Sequence, residues 1–217
     1  MWQRHPWPET IEEAIAIQEQ LRSLVITENQ LSTVRYVAGV DVGYDSADSV
    51  SLAAVTVLSF PDWQLQQSVI RSPTAFPYVP GFLSFPEVPS VLEALENISL
   101  KPDLILCDSQ QGIAHPRRFG LACHLGVLTG IGTIAVAKTR FVGEHSEVGL
   151  ERGSWQPLLE DRSIVGAALR TQTEVKPIYV SIGHRINLIS AIEYVLRCTP
   201  RYRLPKTTRW AHRLTAR

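Results

Sequence analysis

Neither sign of charge is in excess: 21 Lys and Arg stand against 21 Asp and Glu in 217 residues, a formal net charge of +0. That excludes a globally basic surface, so a nucleic-acid partner would have to meet basic residues gathered locally. One gathering exists at residues 197–217, where Arg197, Arg201, Arg203, Lys206, Arg209, Arg213 and Arg217 occur with no acidic residue. Taken alone it reads equally as a solvated tail or as a phosphate contact. Cysteine is scarce too. Cys107, Cys123 and Cys198 are odd in number and form no Cys-x-x-Cys pair, which argues against a disulfide framework or a zinc site and fits a reducing cytoplasm. Residues 1–8 lack the apolar core of a signal peptide. Long apolar runs are missing as well. Residues 119–137 carry no Asp, Glu, Lys or Arg, but Gly126, Gly130 and Gly132 break the stretch, which reads as a buried helix, a turn and a buried strand rather than a membrane span.

What is present is an alternation of elements that fits a single domain. Thr10 and Glu13 make a capping box for an amphipathic helix over 9–25. Strand-like runs follow at 34–40, 50–60 and 64–71, separated by turn residues at 43–46 and 61–62, and such short connections favour antiparallel neighbours. Pro73, Pro77, Pro80, Pro86 and Pro89 then make a stiff segment, neither regular strand nor helix. Beyond it a helix over 87–97, a strand over 104–107, a helix over 115–128 and a strand over 133–137 alternate. An irregular loop spans 140–153, then strands at 164–169 and 178–182 and a helix from Asn187 to about Cys198. The pattern predicts an α/β fold: a mixed sheet, antiparallel meander plus parallel βα units, with helices on both faces.

Chemistry concentrates at strand ends. In Gly39-Val40-Asp41-Val42 a lone carboxylate sits among small and apolar residues, and burial would require a cation or several donors for it; bonding to the adjacent turn is the equal alternative. Leu104-Ile105-Leu106 delivers Asp108 to a sheet edge, and Pro116 reads as the first residue of a helix that would aim its N-terminus at the same place from His115. Glu87 opens a helix after a rigid stretch, a position equally suited to dipole compensation or to a third carboxylate. Oxygen ligands from separate elements suit Mg²⁺ or Mn²⁺. Lys138 follows a strand, as a surface charge or as a partner for a phosphoryl oxygen. His184 likewise follows a strand, whereas His124 reads as a packed mid-helix residue. Tyr78, framed by Pro77, Val79 and Pro80, is a pre-ordered aromatic that packs in a core or wedges beside a base.

These segments resemble the endonuclease V family over nearly the whole chain: Gly39-Val40-Asp41-Val42, residues 76–85 with Glu87, residues 102–108, Gly112-Ile113-Ala114-His115-Pro116-Arg117-Arg118, Val136-Ala137-Lys138, Arg152-Gly153-Ser154-Trp155, Gly183-His184-Arg185 and Tyr202-Arg203-Leu204-Pro205. The resemblance implies an RNase H-like fold and a DNA repair nuclease that nicks on the 3′ side of deaminated bases, chiefly deoxyinosine; a monomer in the cytoplasm is the accompanying expectation. It further implies Asp41, Glu87 and Asp108 as ligands of Mg²⁺, for which Mn²⁺ can substitute, with His115 and Lys138 beside the scissile phosphate. Pro77, Tyr78, Val79 and Pro80 form the implied wedge, Gly81, Leu83, Gly112 and Leu121 the implied pocket for the flipped base, and His184 an outer support.

One departure falls inside the implied site. The family pattern has Asp-Gly-x-Gly where this chain has Asp108-Ser109-Gln110-Gln111-Gly112, one residue longer and without the first glycine. Anchoring on the strand assigns the ligand to Asp108; counting back from His115 would assign Ser109. The strand anchor is preferred because a turn absorbs an insertion more readily than a strand absorbs a slip. Two further functions stay open at this point: a lesion-binding protein that does not cut, and a nuclease for inosine-containing RNA.

Overall fold

The computed structural model describes residues 5–45, 50–59, 64–73, 76–109 and 112–216. Eight strands form one sheet in the order β3-β2-β1-β4-β5-β8-β7-β6. β1 (Tyr36–Asp45), β2 (Val50–Ser59) and β3 (Leu65–Pro73) are the expected antiparallel meander, while β4 (Leu104–Asp108) and β5 (Gly132–Ala137) add in parallel beside β1. β8 (Ile178–His184), β7 (Ser163–Leu169) and β6 (Trp155–Glu160) complete the far side, all antiparallel.

The central strands are apolar on both faces because both are covered. On one face Ala38, Val40, Ile105, Cys107 and Ala135 meet α2 (Ser84–Glu96) and α3 (Leu121–Thr129). On the other, Val37, Leu104, Leu106, Ile134 and Val136 share a core with α4 (Leu188–Cys198). α5 (Lys206–Thr215) lies against β1 and β2, where Gly39 faces its backbone. α1 (Ile11–Arg22) begins with the expected Thr10–Glu13 capping box and packs outside α3 through Leu21, Phe119 and Cys123. No helix among the described residues is long and apolar enough to cross a membrane, and residues 119–137 are largely α3 and β5.

Several expectations need correction. β1 runs on through Gly43, paired with β2 as far as Asp45↔Val50, so ladder bonds prevail over the turn residues there; Ser46 is outside the described residues. Pro86 and Pro89 are helical. Pro86 lies in the first turn of α2, where its missing N–H costs nothing, and Pro89 is held by a helix whose Val88, Val91, Leu92 and Leu95 are core. α3 starts at Leu121, not at His115: Arg118 takes φ 57 and its N–H bonds the His115 carbonyl at 2.8 Å, which closes a tight turn before Gly120 caps the helix. Pro116 therefore heads no helix, and no helix dipole begins beside His115. β6 and α5 are additional to the expected elements.

Candidate active site

The register of the sheet builds half of the site. β1 and β4 pair in parallel as far as Val40↔Cys107, so the next residues, Asp41 within β1 and Asp108 at the end of β4, lie side by side on strands about 4.8 Å apart. Asp41 is 9 % exposed. Asp108 pairs with Val136 of β5, and Lys138, two residues on and thus on the same face, brings Nζ to 3.6 Å from Asp108 Oδ2. Burial raises the Asp108 pKa, Lys138 opposes that, and the Asp41 charge adds to it.

Helices from both faces supply the rest. α5 places His212 Nδ1 3.1 Å from Asp41 Oδ2, and the Thr215 hydroxyl donates to that same oxygen. One ligand atom each from Asp41, Asp108 and His212 lie within 4.8 Å of one another. From the opposite face α2 brings Glu87 into a cavity of about 310 Å³, lined also by Tyr78, Pro80, Leu83, Asp108, Ser109 and Phe141. Burial, then the nearby Asp41 charge, pushes the Glu87 carboxyl up to about 8. A carboxyl protonated at neutral pH beside two others is the mark of a site whose repulsion a cation would relieve. The donor set therefore fits a hard divalent ion: carboxylate oxygens predominate, one imidazole joins them, and all are carried on rigid elements.

Behind the cavity, His115 is wholly buried. Its Nδ1 accepts the Arg117 N–H at 3.1 Å, so Nε2 carries the proton and donates to the Gly81 carbonyl at 2.9 Å. Burial pushes its pKa down to about 4, which keeps that tautomer neutral. The Gly81 carbonyl also accepts from Gln18 of α1 at 3.0 Å, and Gly81 itself has φ +85, a conformation that glycine adopts without strain. This anchored turn, closed by Phe82 N–H to the Val79 carbonyl at 2.9 Å, holds Pro77, Tyr78 and Pro80 out at the surface.

A family model described as endonuclease V matches residues 19–213. The chain belongs to the endonuclease V family. An endonuclease V of Trichormus variabilis is 59 % identical over 218 residues, covering 100 % of this chain and 98 % of the relative. The crystal structure of the Streptomyces avermitilis endonuclease V superposes with a TM-score of 0.93 at 46 % identity, covering 99 % of this chain and 95 % of that one. The endonuclease V of Ciona intestinalis, solved with a 24mer DNA containing an inosine followed by a ribo-adenosine, gives 0.82 at 28 % identity and covers 96 % and 97 %. The sheet and its flanking helices are thus the RNase H-like fold that the resemblance implied.

Against this endonuclease V frame the residues singled out in the sequence divide into three groups. Asp41, Asp108 and Lys138 meet where the β1–β4 ladder stops, and Glu87, Tyr78, Pro80 and Leu83 reach the adjoining cavity. His115 does not line it, but is bonded to the Gly81 carbonyl and lies 6.3 Å, ring centre to ring centre, from Phe141 of its wall. Three others point elsewhere. Leu121 packs in the core against α2 and the sheet, the Gly112 α-carbon lies against the Ile182 backbone, and neither lines the cavity. His184 ends β8 opposite Thr133, at the other end of the sheet, where Nδ1 accepts the Ile26 N–H at 3.2 Å. Ser109 does line the cavity, its N–H bonded to the Cys107 and Val136 carbonyls, while Gln110 and Gln111 are outside the described residues. The sequence reading missed His212 and Phe141. α5 buries Thr207, Thr208 and Ala211, a stripe of small residues rather than the apolar periodicity that marks a helix; the spacing of that stripe was the available signal.

Proposed function

We propose that this chain is a Mg²⁺-dependent endonuclease, active also with Mn²⁺, that nicks DNA on the 3′ side of deaminated bases, chiefly deoxyinosine. The observation that carries the reading is the convergence of Asp41, Asp108 and His212 within 4.8 Å beside the cavity that receives Glu87 and Tyr78. A divalent ion bound there supplies Lewis acidity toward a phosphoryl oxygen and toward water. The protein's own groups do the rest. Asp41, Asp108 and Glu87 would hold the ion, and a bound cation would favour the ionised form of Glu87. His212 could join them as a donor, and together with Thr215 it fixes the orientation of Asp41. Lys138, its side chain 43 % exposed, extends a positive charge toward a phosphoryl oxygen. Tyr78 stands on a preformed turn and fills the gap in the stack when the base is flipped out, while Leu83 and Phe141 offer apolar surface to that base. His115 and Gln18 keep the turn in place through Gly81.

The lengthened 109–111 turn leaves Asp108 within its strand and Ser109 bonded into the sheet, which favours cutting over binding alone. Three buried free thiols suit the cytoplasm. Incubation of a duplex bearing one deoxyinosine with the protein and Mg²⁺ tests the reading. A nick with a 3′-hydroxyl is expected from wild type and none from Asp41→Asn; intact substrate with folded wild type refutes it. A matched inosine-containing RNA measures whether the 2′-hydroxyl matters.

A further inference from the structure

We propose that the groove between the α4–α5 connection and α5 is a second nucleic-acid contact, which grips the phosphate backbone of a duplex arm about two to three nucleotides from the attacked phosphate. For its substrate this rests on the endonuclease reading above; the residues are separate. The groove is a cavity of about 290 Å³ lined by Arg201, Tyr202, Lys206, Arg209, Trp210 and Arg213, with Cys198 beneath. Four of the lining side chains are cationic, and residues 194–217 contain no Asp or Glu. Among the described residues Arg201, Arg209 and Arg213 have no carboxylate partner; they lie over aromatic rings instead. The Arg209 guanidinium is 3.6 Å from the Tyr202 ring centre, Arg201 is 5.6 Å from that same centre, and Arg213 is 5.4 Å from that of Trp210.

Stacking engages the face of a guanidinium and leaves its N–H edge directed outward, the geometry that forks onto a phosphate. It also pre-orders a long side chain, so less entropy is lost when the anion arrives. Two guanidinium groups drawn to one ring without a carboxylate beside either repel each other, and an anion bound to their outward edges would offset that cost. Placement then selects among anions. Lys206, Arg209, Trp210 and Arg213 follow i, i+3, i+4, i+7 spacing and form one face of α5, opposite buried Thr207, Thr208 and Ala211 and adjacent to His212. Arg209 and Lys206 lie about 4.5 Å and 9 Å along the helix axis from His212. A duplex rises about 3.4 Å per nucleotide of one strand, so a backbone laid along α5 from the carboxylates brings its next phosphates to these residues.

The test measures binding of inosine-containing and inosine-free duplexes by anisotropy in EDTA, over a range of salt, with long arms and with arms trimmed to the neighbours of the lesion. Arg209→Ala/Arg213→Ala should weaken binding to the long duplex about tenfold near 0.15 M salt and lower the slope of log K against log salt by about 1.8, two contacts at about 0.9 each. The trimmed duplex should be bound as by wild type, with kcat on it unchanged. Arg201→Ala, outside the helix, should lower the slope by about 0.9 without any risk to α5. An unchanged slope on the long duplex overturns the proposal. So does equal loss on both lengths with a fall in kcat, which would mean that α5 and His212 had moved. An unchanged DNA slope with lost binding of a polyglutamate peptide would assign the groove to an acidic protein and also overturn it. Because binding is read without turnover, a protein that shows these slopes yet nicks nothing refutes the endonuclease reading and leaves this contact standing.

Discussion

Asp41 and Asp108 are held by strands, Glu87 and His212 by helices, and the two pairs owe their positions to different physics. The strand pair is set by hydrogen-bond register: once Val40 pairs with Cys107, the following residues must lie side by side just past the β1–β4 ladder. The helix pair is set by packing, α2 against one face through Val88, Val91 and Leu92 and α5 against the other through contact of Thr207 with Gly39. Register is digital, since a slip of one residue sends a side chain to the wrong face; packing is graded and can shift by tenths of an ångström. The strand carboxylates should therefore tolerate no change, and the helix-borne groups should lose function in degrees.

The largest effect is expected at the strand pair. Asp41→Asn and Asp108→Asn should each lower the nicking rate about 10³-fold or more, with circular dichroism and melting temperature at or above wild type because a repulsion between buried carboxylates is relieved. Activity within tenfold of wild type for either variant would remove the distinction drawn above.

Next comes the seat of α5. A Cβ on Gly39 would lie 2.2 Å from the Thr207 carbonyl carbon and 2.5 Å from the Thr208 nitrogen, both backbone atoms that cannot rotate away. Gly39→Ala should destabilise the fold by about 1–3 kcal/mol and reduce nicking by pushing His212 away from Asp41. A melt and a nicking assay on the same preparation check both; full activity with full stability would mean that α5 is not seated on β1 as described. His212→Ala removes the side chain without moving the helix and should cost about 10- to 100-fold in rate, less than either strand carboxylate. A loss as large as that for Asp41→Asn would make the helix-borne half equally indispensable.

The same distinction explains what could be read from sequence. Asp41 and Asp108 were legible because apolar strand runs end on them, and the meander and βα units were legible from their periods and turn residues. Glu87 was legible as a helix-start carboxylate, although Pro86 and Pro89 masked the true extent of α2. His212 was not, because α5 docks through threonine and alanine onto a glycine, a contact with little hydrophobic signature. The start of α3 was misread for a related reason. Pro116 is a sound helix-start residue locally, but the His115–Arg118 turn and Gly120 carry the chain past it before helix begins.

His184 supplies the smallest and sharpest test, since it too is strand-borne but at the opposite end of the sheet. Burial, with Arg185 adding to it, pushes its pKa from the ordinary 6.5 down to about 4, and Nδ1 must stay unprotonated to accept from Ile26. Between those values the unfolded chain binds more protons than the folded one, so stability rises with pH: the contribution is complete above about 6.5 and is lost as pH falls through about 4. His115, lowered to about 4 by burial, titrates in the same sense. His184→Gln, which keeps an acceptor but no titrating group, should flatten the fall in melting temperature across that window and leave nicking at neutral pH unchanged. If nicking fell instead, both ends of the sheet would matter; if only the acid slope changes, function belongs to the one end where the β1–β4 ladder stops and helices from both faces close over it.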